Sequence, residues 1–92
     1  MKIMNILYAK RFDKDLDSIV HDAQLKERLS QLLDKIKRAN SLEDLENIRK
    51  IHGYSGYFRI RVGDYRLGIK TTENGVVLLR LLHRKDIYRR FP

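Results

Sequence analysis

Apolar residues along the chain change their period once, near its middle. "IMNILY" (Ile3 to Tyr8) is short and apolar-rich and reads as a strand. Phe12, Leu16, Ile19 and Val20 then follow helical spacing with charges between them. Leu25, Leu29, Leu32, Leu33 and Ile36 repeat that spacing in a longer second helix, whose opposite face carries Lys26, Arg28, Asp34, Lys35 and Lys37. The leucine stripe reads as core packing in preference to a dimer seam. "SLED" (Ser41 to Asp44) has capping-box spacing and predicts one short helical turn. A glycine-containing loop, "HGYSGY", leads into strands.

From Tyr57 onward the period is two. Gly63-Asp64 suits a two-residue type II′ hairpin with glycine at its first central position. That register pairs Val62 with Tyr65, Arg61 with Arg66, Ile60 with Leu67, Arg59 with Gly68 and Phe58 with Ile69. One face of the hairpin then carries Phe58, Ile60, Val62, Tyr65, Leu67 and Ile69, and should meet the helices. The other carries Tyr57, Arg59, Arg61, Arg66 and Lys70. At the next turn, a three-residue loop (Glu73-Asn74-Gly75, with Gly75 left-handed) pairs Leu79 with Ile69 and Leu81 with Leu67. It also sets Arg80 opposite Gly68 on the basic face, whereas an Asn74-Gly75 loop would bury that arginine. The expected fold is α+β: an N-terminal strand, two helices packed on one face, an antiparallel meander forming one sheet, and a short C-terminal segment. With 92 residues and 42% hydrophobic content, the chain should form one domain over 1–92 with one modest core.

Charge sharpens this picture. Residues 1–48 hold nine Lys/Arg and nine Asp/Glu, whereas residues 49–92 hold eleven and three, so the whole net charge of +8 lies in the sheet-forming half. Such asymmetry points to a polyanionic partner. Like charges directly across a sheet destabilise it, and the paired arginines therefore call for a phosphate backbone or acidic side chains. Gly68 leaves room at the centre of that face for something to approach. The last segment, "HRKDIYRRF", adds His83, Arg84, Lys85, Tyr88, Arg89 and Arg90. Histidine exchanges protons near neutral pH, and tyrosine can stack on an unpaired base. Strand parity sets His83 on the core side beside Tyr65, where it either packs or, if the strand ends there, reaches the basic face. His21 and His52 are isolated, and no histidine spacing suggests a metal site. The chain has no cysteine, which suits a reducing cytoplasm. It shows no signal-peptide pattern, and its longest apolar run is too short to span a membrane.

The order of elements, with "YFRIRVGDYRLGI" followed by "LHRKDIYRRF", resembles the RelE/ParE superfamily of bacterial and archaeal toxins over essentially the whole chain. That resemblance implies the toxin of a type II toxin–antitoxin pair: a cytoplasmic, cofactor-free, metal-independent endoribonuclease that cleaves messenger RNA in the ribosomal A site. It also implies a cognate antitoxin, and contact with operator DNA only through the antitoxin complex. By motif position Arg59 and Arg61 match two basic residues of the family that are often lysines. Arg66 matches the arginine after the hairpin tyrosine, His83 and Arg84 match an H-R pair, and Tyr88 matches a C-terminal tyrosine. These six form the expected catalytic set, with His83 as proton carrier. Tyr57, Lys70, Arg80, Lys85, Arg89 and Arg90 are the expected RNA contacts. Arginine essentially never deprotonates, so Arg59 and Arg61 are poor general bases, and proton transfer falls to His83, to Tyr88 or to the ribosome. The rival readings are a DNA gyrase inhibitor of the same fold and a basic binding module without catalysis.

Overall fold

A computed structural model describes residues 4–92. The elements are β1 (Asn5–Tyr8), α1 (Lys10–Asp17), α2 (Ala23–Arg38), a 3-10 turn (Leu42–Asp44), β2 (Ile48–Lys50), β3 (Tyr57–Val62), β4 (Tyr65–Thr72), β5 (Gly75–His83) and α3 (Ile87–Arg90). The five strands form one sheet in the order β1-β5-β4-β3-β2, antiparallel except where β1 runs parallel to β5. This is the expected α+β arrangement; the Ile3 end of the expected first strand lies outside the described residues. β2 is an addition. Three residues, "IRK", carry too little periodicity to be recognised, yet Ile48 pairs with Ile60 and Arg49 with Arg59.

The helices settle as their apolar stripes require. Asp22 caps α2 by accepting the Leu25 N–H at 3.0 Å, a contact of about 1 kcal/mol. Ser41 and Asp44 form the expected capping box. Leu25, Leu29 and Ile36 of α2 and Phe12 of α1 are buried against Ile60, Leu67, Ile69, Leu78 and Leu81 of the sheet. Val20 departs from the expected pattern: α1 stops at Asp17, and Val20 is exposed in the following turn.

The β3–β4 register is the expected one at every pair, and Gly63 at φ +59° begins its turn. A glycine is needed there because other residues rarely take positive φ. The second hairpin corrects the expectation. Thr72 pairs with Gly75, so the loop is only Glu73-Asn74, and Gly75 is not left-handed. The extra residue appears instead as a bulge at Leu79: Ile69 pairs with Leu78, yet Gly68 still faces Arg80 and Leu67 still faces Leu81. A bulge absorbs one residue without turning the rest of the strand over. Gly75 is required for another reason, since a Cβ there would run into the Asn5 backbone of β1.

The second face of the sheet is not open, as the arginine pattern had suggested. The C-terminal segment folds back over it, burying Leu82, Ile87 and Phe91 with Ile51, Tyr57 and Leu79 around them. The room above Gly68 is filled by this chain itself: a Cβ on Gly68 would lie 2.7 Å from the Phe91 ring. Gly68→Ala should therefore destabilise the protein by about 1–3 kcal/mol, the usual cost of overpacking. Chemical denaturation checks this, and an unchanged midpoint would mean that Phe91 is not seated there.

Candidate functional site

Phe91 divides the second face. To one side, Arg49, Arg59, Arg61, Arg66 and Tyr88 line a cleft of about 380 Å³ together with Asn47 and Ile48. Strand pairing assembles it, with Arg49 directly opposite Arg59 and Arg61 directly opposite Arg66. Among the described residues no carboxylate lies within ion-pair distance of these four arginines. Such like-charge pairs oppose folding, so the cleft holds uncompensated positive charge ready for an anion.

Two of the guanidiniums are held in place by the fold. Arg66 donates from Nη1 to the carbonyls of Gly63 at 3.0 Å and Tyr65 at 2.9 Å, leaving its other N–H groups for a ligand. Arg59 lies 4.5 Å from the centroid of the Tyr88 ring, a cation–π distance. Tyr88 is 67% exposed, since α3 buries Ile87 and turns the next residue outward. The result is an aromatic ring with an arginine on it at the rim of a basic cleft. That can clamp a phosphate and offers a surface on which a base can stack.

Of the six expected catalytic residues, four meet here: Arg59, Arg61, Arg66 and Tyr88. His83 does not line this cleft. It lies on the core side, as parity required, with its ring edge-on to Tyr65 at 5.5 Å and its Nδ1 accepting the Lys85 N–H at 3.2 Å. A proton-carrying role for His83 beside these arginines does not fit that placement. Arg84 is exposed just beyond β5, and its N–H donates to the Asp64 carbonyl at the hairpin tip. Arg49 was missed with its strand. The only local trace was the alternation of Ile48 and Arg49, too short to mark a strand.

The expected RNA contacts are scattered. Tyr57 packs on Phe91 with Lys70 over its ring at 5.2 Å, and neither lines the arginine cleft. Arg89 pairs with Asp86 at 3.1 Å, and the Lys85 side chain is exposed. Arg90 borders a separate groove with Arg11, Lys14 and Asp15. Arg80 is the clearest correction. It is opposite Gly68 as expected but only 8% exposed, and its Nε and Nη2 donate to Asp15 at 2.9 and 3.1 Å. The same carboxylate accepts the Leu81 N–H at 2.8 Å. β1 ends opposite Leu78, so α1 supplies the acceptor that a longer β1 would have given. Arg80 therefore belongs to the framework. Among the described residues no helix is long and apolar enough to cross a membrane.

Residues 6–88 match the family model for the ParE toxin of the type II toxin–antitoxin system, parDE. The chain is 42% identical over 90 residues to Toxin RelE3 of Methanocaldococcus jannaschii, covering 97% of this chain and all of that protein. Its fold superposes on the RelB–RelE antitoxin–toxin complex from Methanococcus jannaschii with a TM-score of 0.78 and 40% identity, over 94% of this chain and 99% of that one. The Escherichia coli DinJ–YafQ complex shares the fold at a TM-score of 0.75 and 19% identity, over 92% of this chain and 98% of that one.

Proposed function

The chain belongs to the ParE toxin family of type II toxin–antitoxin systems, within the RelE/ParE superfamily, and we propose that it acts as a ribosome-dependent endoribonuclease on messenger RNA in the A site. The observation that carries this is the cleft of four arginines, in no ion pair among the described residues, with Tyr88 stacked on one of them. Cleavage of this kind forms a bond between the RNA 2′-oxygen and the adjacent phosphorus and breaks the bond to the 5′-oxygen, leaving a 2′,3′-cyclic phosphate. The 2′-hydroxyl loses a proton, and the departing 5′-oxygen gains one. Negative charge develops on the phosphoryl oxygens between those events, and fixed guanidiniums stabilise it there. Arg66 is the principal clamp, Arg49, Arg59 and Arg61 surround the phosphate, and Tyr88 holds a base.

Among the described residues the cleft is lined by no histidine and no carboxylate, and arginine keeps its charge. We assign the activation of the 2′-hydroxyl to the ribosome, which makes ribosome dependence a consequence of the residue set. Arg84, at the hairpin tip, is positioned to meet RNA entering the cleft. An antitoxin is the partner that answers the uncompensated charge, in line with the complexes of the RelB–RelE and DinJ–YafQ structures. Contact with operator DNA would come through that complex, in the cytoplasm.

The match to the ParE family model favours a second reading, inhibition of DNA gyrase by protein binding. Primer extension on a messenger RNA, with and without ribosomes, separates the two. The nuclease reading expects cuts at A-site codons only when ribosomes are present. Cuts on naked RNA would mean that the chain supplies its own base. Intact messenger RNA, together with trapped DNA breaks in a gyrase reaction, would replace the nuclease reading with the second one.

A further inference from the structure

Across Arg61 from the arginine cleft lies a second cleft, about 400 Å³, between the start of α2 and the β3–β4 turn. Its volume falls within the range of small-ligand sites, roughly 300–1,000 Å³. The Tyr65 and His83 rings, edge-on to each other, line one part of it. Arg28 reaches over from α2, and its Nη1 would lie 3.6 Å from a Cβ on Gly63. Arg66 holds the carbonyl of the same glycine. The hairpin turn thus carries guanidiniums from both a helix and a strand, and Arg61 borders both clefts.

The remaining lining groups say what the cleft would accept. Asp64 is exposed at the turn and in no ion pair among the described residues. The Asp22 carboxylate accepts the Leu25 N–H through one oxygen, and its other oxygen has no partner among the described residues. Gln24 stands beside them. These exposed carboxylates disfavour a bare phosphate in the cleft but accept N–H groups, as acidic side chains do from the amino group of cytosine. Aromatic rings, carboxylates and flanking arginines together match one unpaired nucleotide, its base on the rings and its phosphate toward Arg61 and Arg28.

We propose that this cleft is a second nucleotide subsite, binding an unpaired RNA nucleotide adjacent to the one held in the arginine cleft and favouring a base with an exocyclic amino group over uracil. Its place in a nuclease rests on the reading above. Arg61 bridges the two subsites, and Arg28 becomes a phosphate-contacting residue. His83 becomes a stacking residue, which gives its half-buried place edge-on to Tyr65 a functional purpose. Uracil presents two carbonyl oxygens on either side of its single N–H, and these face the carboxylates unfavourably.

The test is titration of the full chain with CMP, UMP and inorganic phosphate at constant ionic strength, followed by amide NMR. The expected result is shifts at Gln24, Leu25, Arg28, Asp64 and Tyr65 with CMP, and at least about fivefold weaker binding of UMP. His83→Ala and Arg28→Ala should each weaken CMP binding at least about fivefold, the lower end for a base stacked on an aromatic ring; spectra unchanged elsewhere establish that each variant is folded. CMP shifts confined to Arg59 and Arg66, identical shifts with inorganic phosphate, or variants that bind CMP like the wild type would each overturn the proposal. Ribosome-dependent cutting without a response in this cleft would sink the subsite alone. A response here without any cutting of messenger RNA would sink the nuclease reading and leave the nucleotide site standing.

Discussion

Arg66→Ala should lower the rate of ribosome-dependent messenger RNA cleavage by two to three orders of magnitude while leaving the fold intact. The size follows from what fixed charge stabilisers contribute: removing one donor aimed at developing negative charge costs about 10²–10³ in rate. Arg66 meets the requirement of being fixed, because two backbone carbonyls hold its Nη1 and the strand pair holds its backbone. It need not be reorganised when charge develops. Arg66→Lys tests the geometry separately from the charge. Lysine keeps the positive charge but lacks the planar fork, so it cannot keep both carbonyls and still offer paired donors to phosphate oxygens. Its rate should fall between those of the wild type and the alanine variant. Single-turnover cleavage with saturating ribosomes reads both. An alanine variant within threefold of wild type would remove Arg66 from the reaction and leave the arginine cleft as a docking surface.

Asp15→Ala should lower stability by about 3–5 kcal/mol, the range seen when one partner of a buried ion pair is removed. For a chain of this length total stability is of the order of 5–14 kcal/mol, so much of the population would be unfolded on modest heating. The substitution has two effects at once. It strands the Arg80 guanidinium, whose side chain is 10% exposed, and it leaves the Leu81 N–H without an acceptor. Pairing Asp15→Leu with Arg80→Met removes both charges and should recover most of the loss, because an apolar pair of similar volume often replaces a buried salt bridge at little cost. A residual deficit of about 1–3 kcal/mol should persist from the unsatisfied Leu81 N–H. Urea denaturation of the two forms measures this. An Asp15→Ala protein as stable as wild type would show that Arg80 reaches solvent, and would return it to the set of RNA contacts.

The contrast between Arg66 and Arg80 shows where sequence reading ends. Both are arginines on the same face of adjacent strands, and alternation places both correctly. Their fates differ because of what the rest of the chain brings to them. Asp15, 65 residues from Arg80, arrives on α1 only because β1 stops at Tyr8. Arg66 meets no carboxylate among the described residues, and its charge stays uncompensated there. Phe91 likewise takes the space above Gly68 that looked open from the strand pattern.

The sequence by itself determined the strands from Tyr57 to His83, the β3–β4 register, the type II′ turn at Gly63, both main helices and the shared face of Arg59, Arg61 and Arg66. All of these rest on interactions between near neighbours: side-chain alternation, helical spacing and the φ values a turn demands. It also carried the family, through the order of its motifs. Only the tertiary structure decided that β1 lies parallel beside β5, that β2 brings Arg49 into the cleft, and that the extra residue of β5 is a bulge at Leu79 and not part of the turn. It alone decided that His83 and Tyr65 wall a separate cleft with Arg28, and that Arg80 is framework. Each of these depends on which distant segment arrives to pair with a free strand edge, cover an apolar face or neutralise a charge, and no local pattern encodes that arrival.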